Sequence, residues 1–142
     1  MFKDILFPVD IGHQDSWRRS LPIAVTLCRV TGANLHVLAV LPQFGPAVVS
    51  QYFPENFEDV ATTHMMEDLH GFTRTHLPTD IKVQHIIAHG RIYDEILRTA
   101  EAISCDLIVM GAHRPDLTDY LIGTNAAKVV RHAKCSVLIA RD

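Results

Sequence analysis

The chain has 142 residues, 48% of them hydrophobic and 20% charged, which suits one soluble globular domain with a real core. A formal net charge of −3 gives no electrostatic case for nucleic acid, and no apolar run reaches transmembrane length. Three cysteines (Cys28, Cys105 and Cys135), odd in number and without Cys-x-x-Cys spacing, point to reduced thiols in a cytoplasmic setting rather than disulfides or zinc.

The first residues, Met-Phe-Lys-Asp-Ile-Leu, carry an acid at Asp4 and enter a strand at once, unlike a signal peptide. Phe2 to Val9 reads as a strand buried on both faces, with Pro8 near its end, where a missing ladder donor matters least. Asp10 follows at its carboxyl end, and Gly12 marks the turn out. Ser16 to Thr31 reads as a helix with Trp17, Leu21, Ala24 and Cys28 on one stripe, capped by Asp15 or Ser16 and stopped by Gly32. Pro22 is expected to kink rather than end it. Asn34 to Leu41 is a second strand with Val40 at its carboxyl end, and residues 42–51 read as a mobile loop. Asn56 to His76 is a second helix whose stripe of Phe57, Val60, Ala61, Met65, Leu69 and Phe72 is expected in the core. Ile81 to Ala88 alternates as a strand nearer the sheet edge, and Ile92 to Ile103 is a third helix. Residues 107–110 form a fourth strand, about Thr124 to Ala133 a fourth helix, and Ser136 to Ala140 a last strand. Strict alternation of five strands and four helices predicts a doubly wound parallel α/β sheet with right-handed crossovers.

The stretch from Asp106 to Asn125 organises the rest. An apolar strand ends at Gly111, a polar loop follows, and Gly123-Thr124-Asn125 opens a helix. Free N–H groups, the helix dipole and close backbone approach at glycine suit a phosphate there, although a glycine at a strand end and a threonine at a helix start are also ordinary turn chemistry. In such a sheet the carboxyl ends of strands one, two and four, with Asp10, Val40 and Gly111, would surround one crevice. Asp10 is placed to hold a ribose hydroxyl or a magnesium ion, or else to cap the following segment. His113 can donate to a phosphate, contact a base, or shape its loop. Arg114 presents a planar fork suited to phosphate, held extended by Pro115, and can instead pair with Asp116, Asp119 or Asp10. Walker, dinucleotide, nucleophile-elbow and zincin signatures are missing. His64, His70, His76, His85 and His89 have spacings that suit no shared metal and read as solvated or structural.

From Asp4-Ile5-Leu6-Phe7-Pro8-Val9-Asp10 to Cys135-Ser136-Val137-Leu138-Ile139 the chain resembles the bacterial universal stress proteins, and a long match running through Tyr-Leu-Ile-Gly-Thr-Asn-Ala-Ala is close to their F-type branch. Gly111 and Gly123-Thr124 match the family's phosphate-loop glycines. Arg114 stands where the middle glycine is usual, and the spacer from Pro115 to Ile122 has eight residues instead of nine. The resemblance implies one five-stranded Rossmann-like domain over residues 1–142, strand order 3-2-1-4-5, binding ATP or a related nucleotide (AMP or ADP), with Mg2+ as a companion. Backbone near Pro8, Val9 and Val40 would face adenine. Asp10 would lie by base and ribose, Met110 and Gly111 would line the ribose side, and Gly123, Thr124 and Asn125 would hold phosphates. It further implies a homodimer through Ser136 to Ala140, whose exposed edge would otherwise invite association. The expected role is a nucleotide-responsive regulator acting on an unidentified protein partner. The alternatives are an interaction module that lost its nucleotide through Arg114, or a slow ATPase using Asp10 and His113.

Overall fold

The computed structural model describes residues 1–41, 57–112 and 123–141. Its five strands are β1 (Asp4–Pro8), β2 (Asn34–Leu41), β3 (Val83–His89), β4 (Leu107–Gly111) and β5 (Ser136–Ala140). They pair in parallel in the order β3-β2-β1-β4-β5. The helices are α1 (Ser20–Thr31), α2 (Phe57–His76), α3 (Ile92–Ala102) and α4 (Thr124–His132). The doubly wound sheet expected from the alternation is therefore present.

Side chains alternate across a strand, so each central strand feeds two cores. Ile5, Phe7, Leu35, Val37 and Val109 meet Leu21, Ala24 and Cys28 of α1 and Leu69 and Phe72 of α2 on one face. Leu6, Leu38, Ile108 and Met110 meet Ile96 and Ala100 of α3 and Ala126 and Val129 of α4 on the other. Ile5, Leu6 and Phe7 are fully buried, which explains why β1 reads as an unbroken apolar run. β3 and β5, at the two edges, are only half-buried.

The boundaries move for physical reasons. α1 starts at Ser20, not Ser16, and a 3-10 turn at Gln14–Ser16 precedes it. Ser16 does not cap α1. Its hydroxyl donates to the Asp10 carbonyl at 2.9 Å and accepts from the Asp10 N–H at 3.2 Å, clasping residues 10–16 into a turn. Pro22 then falls in the first turn of α1, where no intrahelical donor is needed, so it neither ends nor has to kink the helix. Gly32, at φ +75°, ends α1 as expected, its N–H donating to Cys28. β1 runs Asp4–Pro8 rather than from Phe2 to Val9, because its ladder with β2 starts at Asp4. β3 begins at Val83, because its ladder with β2 runs from Leu35–Val83 to Leu41–His89. In α2 the stripe is buried at Leu69 and Phe72, but Val60 is 41% exposed. α3 closes at Ala102 and α4 at His132, one residue short of expectation in each case. The 42–51 segment lies outside the described residues.

Of the histidines left as solvated or structural, several make structural contacts. His85 Nε2 pairs with Thr73 Oγ1 at 2.8 Å while its ring stacks on His70 at 3.7 Å, and His89 Nε2 pairs with Thr62 Oγ1 at 2.7 Å. These contacts fasten α2 to β3. Burial, and then the charge of neighbouring His70, lower the pKa of His85 below its ordinary 6.5. The fold thus prefers neutral His85, while the unfolded chain takes up its proton at the ordinary value. Stability is fully present above about pH 6.5 and declines as pH falls through that value towards the lower folded pKa. Thermal midpoints between pH 8 and pH 5 should therefore drop less in His85→Gln than in the native chain. Parallel curves would remove His85 as the source.

Candidate functional site

Beyond the carboxyl ends of β1 and β4 lies an open groove of about 640 Å3, lined among the described residues by Asp10, Gly12 to Ser16, Met110, Gly111 and Gly123 to Ala126. Three backbone segments meet here, and each is placed by local chemistry.

The first is the 10–16 turn. The Ser16 clasp holds it, the His13 N–H donates to the Asp10 carbonyl at 3.0 Å, and Asp10 Oδ2 pairs with His13 Nδ1 at 2.8 Å. Both partners of that pair are largely exposed, so it is open to exchange with a ligand. Trp17 anchors the far end, its ring edge-on to Phe72 at 5.0 Å and tilted against His76 at 4.6 Å.

The second is the end of β4. A Cβ on Gly111 would stand 2.7 Å from the Ser16 carbonyl oxygen, so this glycine is what allows the turn to seat against the strand. A packing reason for Gly111 is thus visible in the chain itself.

The third is the amino end of α4. The Ala112 N–H donates to Ala140, and the Gly123 N–H donates back to Ala112 at 3.0 Å, so the polypeptide returns after residues 113–122 to the point at which it left. Gly123 is buried and is the N-cap of α4 in ordinary extended conformation, and as a glycine it brings no side chain of its own to cap the helix. The first bond from the helix to Gly123 is made by Ala127, so the N–H groups of Thr124, Asn125 and Ala126 precede the helical ladder. With the dipole behind them, they present positive potential to the groove. The helix has no acid in its first turn to oppose that.

Of the residues singled out in the sequence, Asp10, Met110, Gly111, Gly123, Thr124 and Asn125 come together around the groove. Pro8 and Val9 are buried at the end of β1, Val40 is half-buried near the end of β2, and none of the three lines the groove. His113 and Arg114 lie outside the described residues. Sequence reasoning missed the contribution of Gln14, Asp15 and Ser16. Pro22 held the signal, since a helix that carries proline in its first turn leaves the residues before Ser20 to form something else.

The universal stress protein family model matches residues 1–141. Universal stress protein G of Escherichia coli O157:H7 is 32% identical over 149 residues, covering 99% of this chain and 100% of its own. The solved universal stress protein UspA from Lactobacillus plantarum aligns with a TM-score of 0.78 at 23% identity, over 98% of this chain and 97% of that one. Two further solved structures share the fold at 18% identity. One is a universal stress protein in complex with cAMP, with a TM-score of 0.68 over 99% of this chain and 97% of its own. The other is the universal stress protein from Archaeoglobus fulgidus in complex with dAMP, with a TM-score of 0.65 over 98% of both chains. With the family model spanning nearly the whole chain and a relative of this identity aligned end to end, the protein belongs to the universal stress protein family.

Proposed function

We propose that the groove between the 10–16 turn, Gly111 and the amino end of α4 binds an adenine nucleotide, ATP foremost, and that occupancy turns the protein into a signal for a protein partner. One observation carries the reading: the amino end of α4, opened by Gly123, lines a groove at the carboxyl ends of β1 and β4. The cAMP and dAMP complexes of fold relatives support an adenine ligand.

In this reading the N–H groups of Thr124, Asn125 and Ala126 donate to phosphate oxygens. Asp10, released from His13, accepts from the ribose hydroxyls. Met110 and Gly111 border the ribose. Arg114 and His113 add a charge and a donor to the same phosphates. Among the described residues no three His, Cys, Asp or Glu side chains form a metal cage. A magnesium ion would therefore rely on phosphate oxygens and water, with Asp10 as its nearest carboxylate. The ion would neutralise phosphate charge beside the Asp10 and Asp15 carboxylates, both of which line the groove.

The proposed assembly is a homodimer through β5. This half-buried edge strand pairs with β4 on one side only among the described residues, and a twofold partner would satisfy its other side.

The test has two parts. Denaturing the purified protein and weighing the released small molecules should yield an adenine nucleotide, and calorimetric titration should give ATP binding in the micromolar range, about −8 kcal/mol. Parallel titrations with ADP, AMP and magnesium define the phosphate state, and sedimentation of the loaded protein should report a dimer. No release and no heat at millimolar ATP would overturn the reading and leave an interaction module in its place.

A further inference from the structure

Opposite the nucleotide groove, at the amino ends of β4 and β5, lies a second cavity of about 580 Å3 between α3 and the end of α4. Cys105 and Cys135, thirty residues apart in sequence, both line it, with their sulfurs 3.8 Å apart. Cys105 sits just before β4 and Cys135 just before β5. The third cysteine, Cys28, is buried in the core on the opposite face of the sheet. The spacing of the cysteines gave no reason to expect a disulfide, but the fold brings two of the three side by side.

We propose that Cys105 and Cys135 form a dithiol oxidation site, converted by a peroxide to an intramolecular disulfide that ties the start of β4 to the start of β5. Three features support it. The sulfurs are already in contact, so bond formation requires an approach of under about 2 Å, within reach of side-chain rotation. The cavity gives a small oxidant access to both. Cys135 is the more exposed of the two, while Cys105 is 8% exposed, which separates their roles.

The Cys135 thiol gives up its proton, its thiolate attacks one peroxide oxygen, the O–O bond breaks, and sulfenic acid forms on Cys135 as the departing hydroxide takes up that proton and leaves as water. The Cys105 sulfur then attacks the Cys135 sulfur, the S–O bond breaks, and the departing hydroxide takes the Cys105 proton as a second water. Two thiols are oxidised by two electrons and one peroxide is reduced. Burial first, and then neighbouring Cys135, push the Cys105 thiol up to about 12, so Cys105 is the slow, resolving partner. Burial pushes Cys28 up to about 11, which leaves it inert.

The crosslink would close a loop that runs from β4 to α4, and Met110, Gly111 and Gly123 to Ala126 within it line the proposed nucleotide groove. It would also fix the start of β5. Oxidation would thereby stiffen the elements that the proposed ligand and the proposed dimer both use. The dithiol itself does not depend on either.

The purified full chain is treated with hydrogen peroxide, then unfolded in denaturant, blocked with an alkylating reagent and mapped by mass spectrometry without reduction. One linked peptide pair holding Cys105 and Cys135, with Cys28 still alkylated, is the expected result, together with a rise of several degrees in the thermal midpoint. Cys135→Ser should lose both, and Cys28→Ala should keep both, which guards against a folding artefact in either variant. Separate alkylation of Cys105 and Cys135 after peroxide, or oxidation that reaches Cys28 first, would overturn the proposal. These readouts are independent of nucleotide, so failure here and failure of the nucleotide reading are distinguishable.

Discussion

Gly111→Ala is expected to lower the thermal midpoint by about 3–10 °C and to weaken nucleotide binding together with it. The added Cβ would stand 2.7 Å from the Ser16 carbonyl oxygen, 3.3 Å from the Ser16 carbonyl carbon and 3.6 Å from the Asp15 carbonyl oxygen. All three are backbone atoms of the clasped turn, so no side-chain tip can swing aside to make room. β4 cannot retreat easily either, since Gly111 pairs with Ala140 of β5. The turn must lift, at a cost of about 1–3 kcal/mol, the usual range for overpacking. It carries Asp10 and the Gly12 to Ser16 wall of the groove with it. Calorimetric unfolding followed by an ATP titration checks both halves. An unchanged midpoint would mean that the turn yields freely and that Gly111 is there for the ligand alone.

Gly123→Val should separate binding from stability. Gly123 has φ −62° and ψ 157°, a conformation that valine adopts readily, so the substitution does not strain the backbone. Losing glycine at an N-cap costs at most about 1 kcal/mol of helix stability. The branched side chain would, however, stand at the mouth of α4, beside the N–H groups proposed to hold phosphate. An affinity loss of 100-fold or more, about 2.7 kcal/mol, is expected by calorimetry, with an unaltered far-ultraviolet dichroism spectrum. Full affinity in a folded Gly123→Val would place the phosphates elsewhere. The two variants differ in a useful way. Gly111→Ala should lose stability and binding, and Gly123→Val binding alone.

These predictions rest on the same two glycines that stand out in the sequence, but for different reasons. Gly123 takes its expected place at a helix start. Gly111 could be read from sequence as a phosphate-loop glycine or as an ordinary turn residue at a strand end. Its contact with the Ser16 carbonyl depends on a turn ninety-five positions earlier in the chain, and no local pattern reports that.

The sequence by itself determined the class of fold. Unbroken apolar runs such as Ile5-Leu6-Phe7 demand burial on both faces, and helical stripes such as Leu21, Ala24 and Cys28 demand a sheet to cover. These are local periodicities, fixed by the geometry of strand and helix, and they survive any tertiary arrangement. Tertiary structure alone decided the rest. It clasped Ser16 to Asp10 instead of to a helix, and brought the 10–16 turn against β4. It stacked His85 on His70 and set Cys105 beside Cys135. The seat of the turn on β4 and the Cys105–Cys135 pair are contacts between segments that strand order makes neighbours. Sequence spacing carries no information about which ends of which strands lie side by side until the sheet has formed.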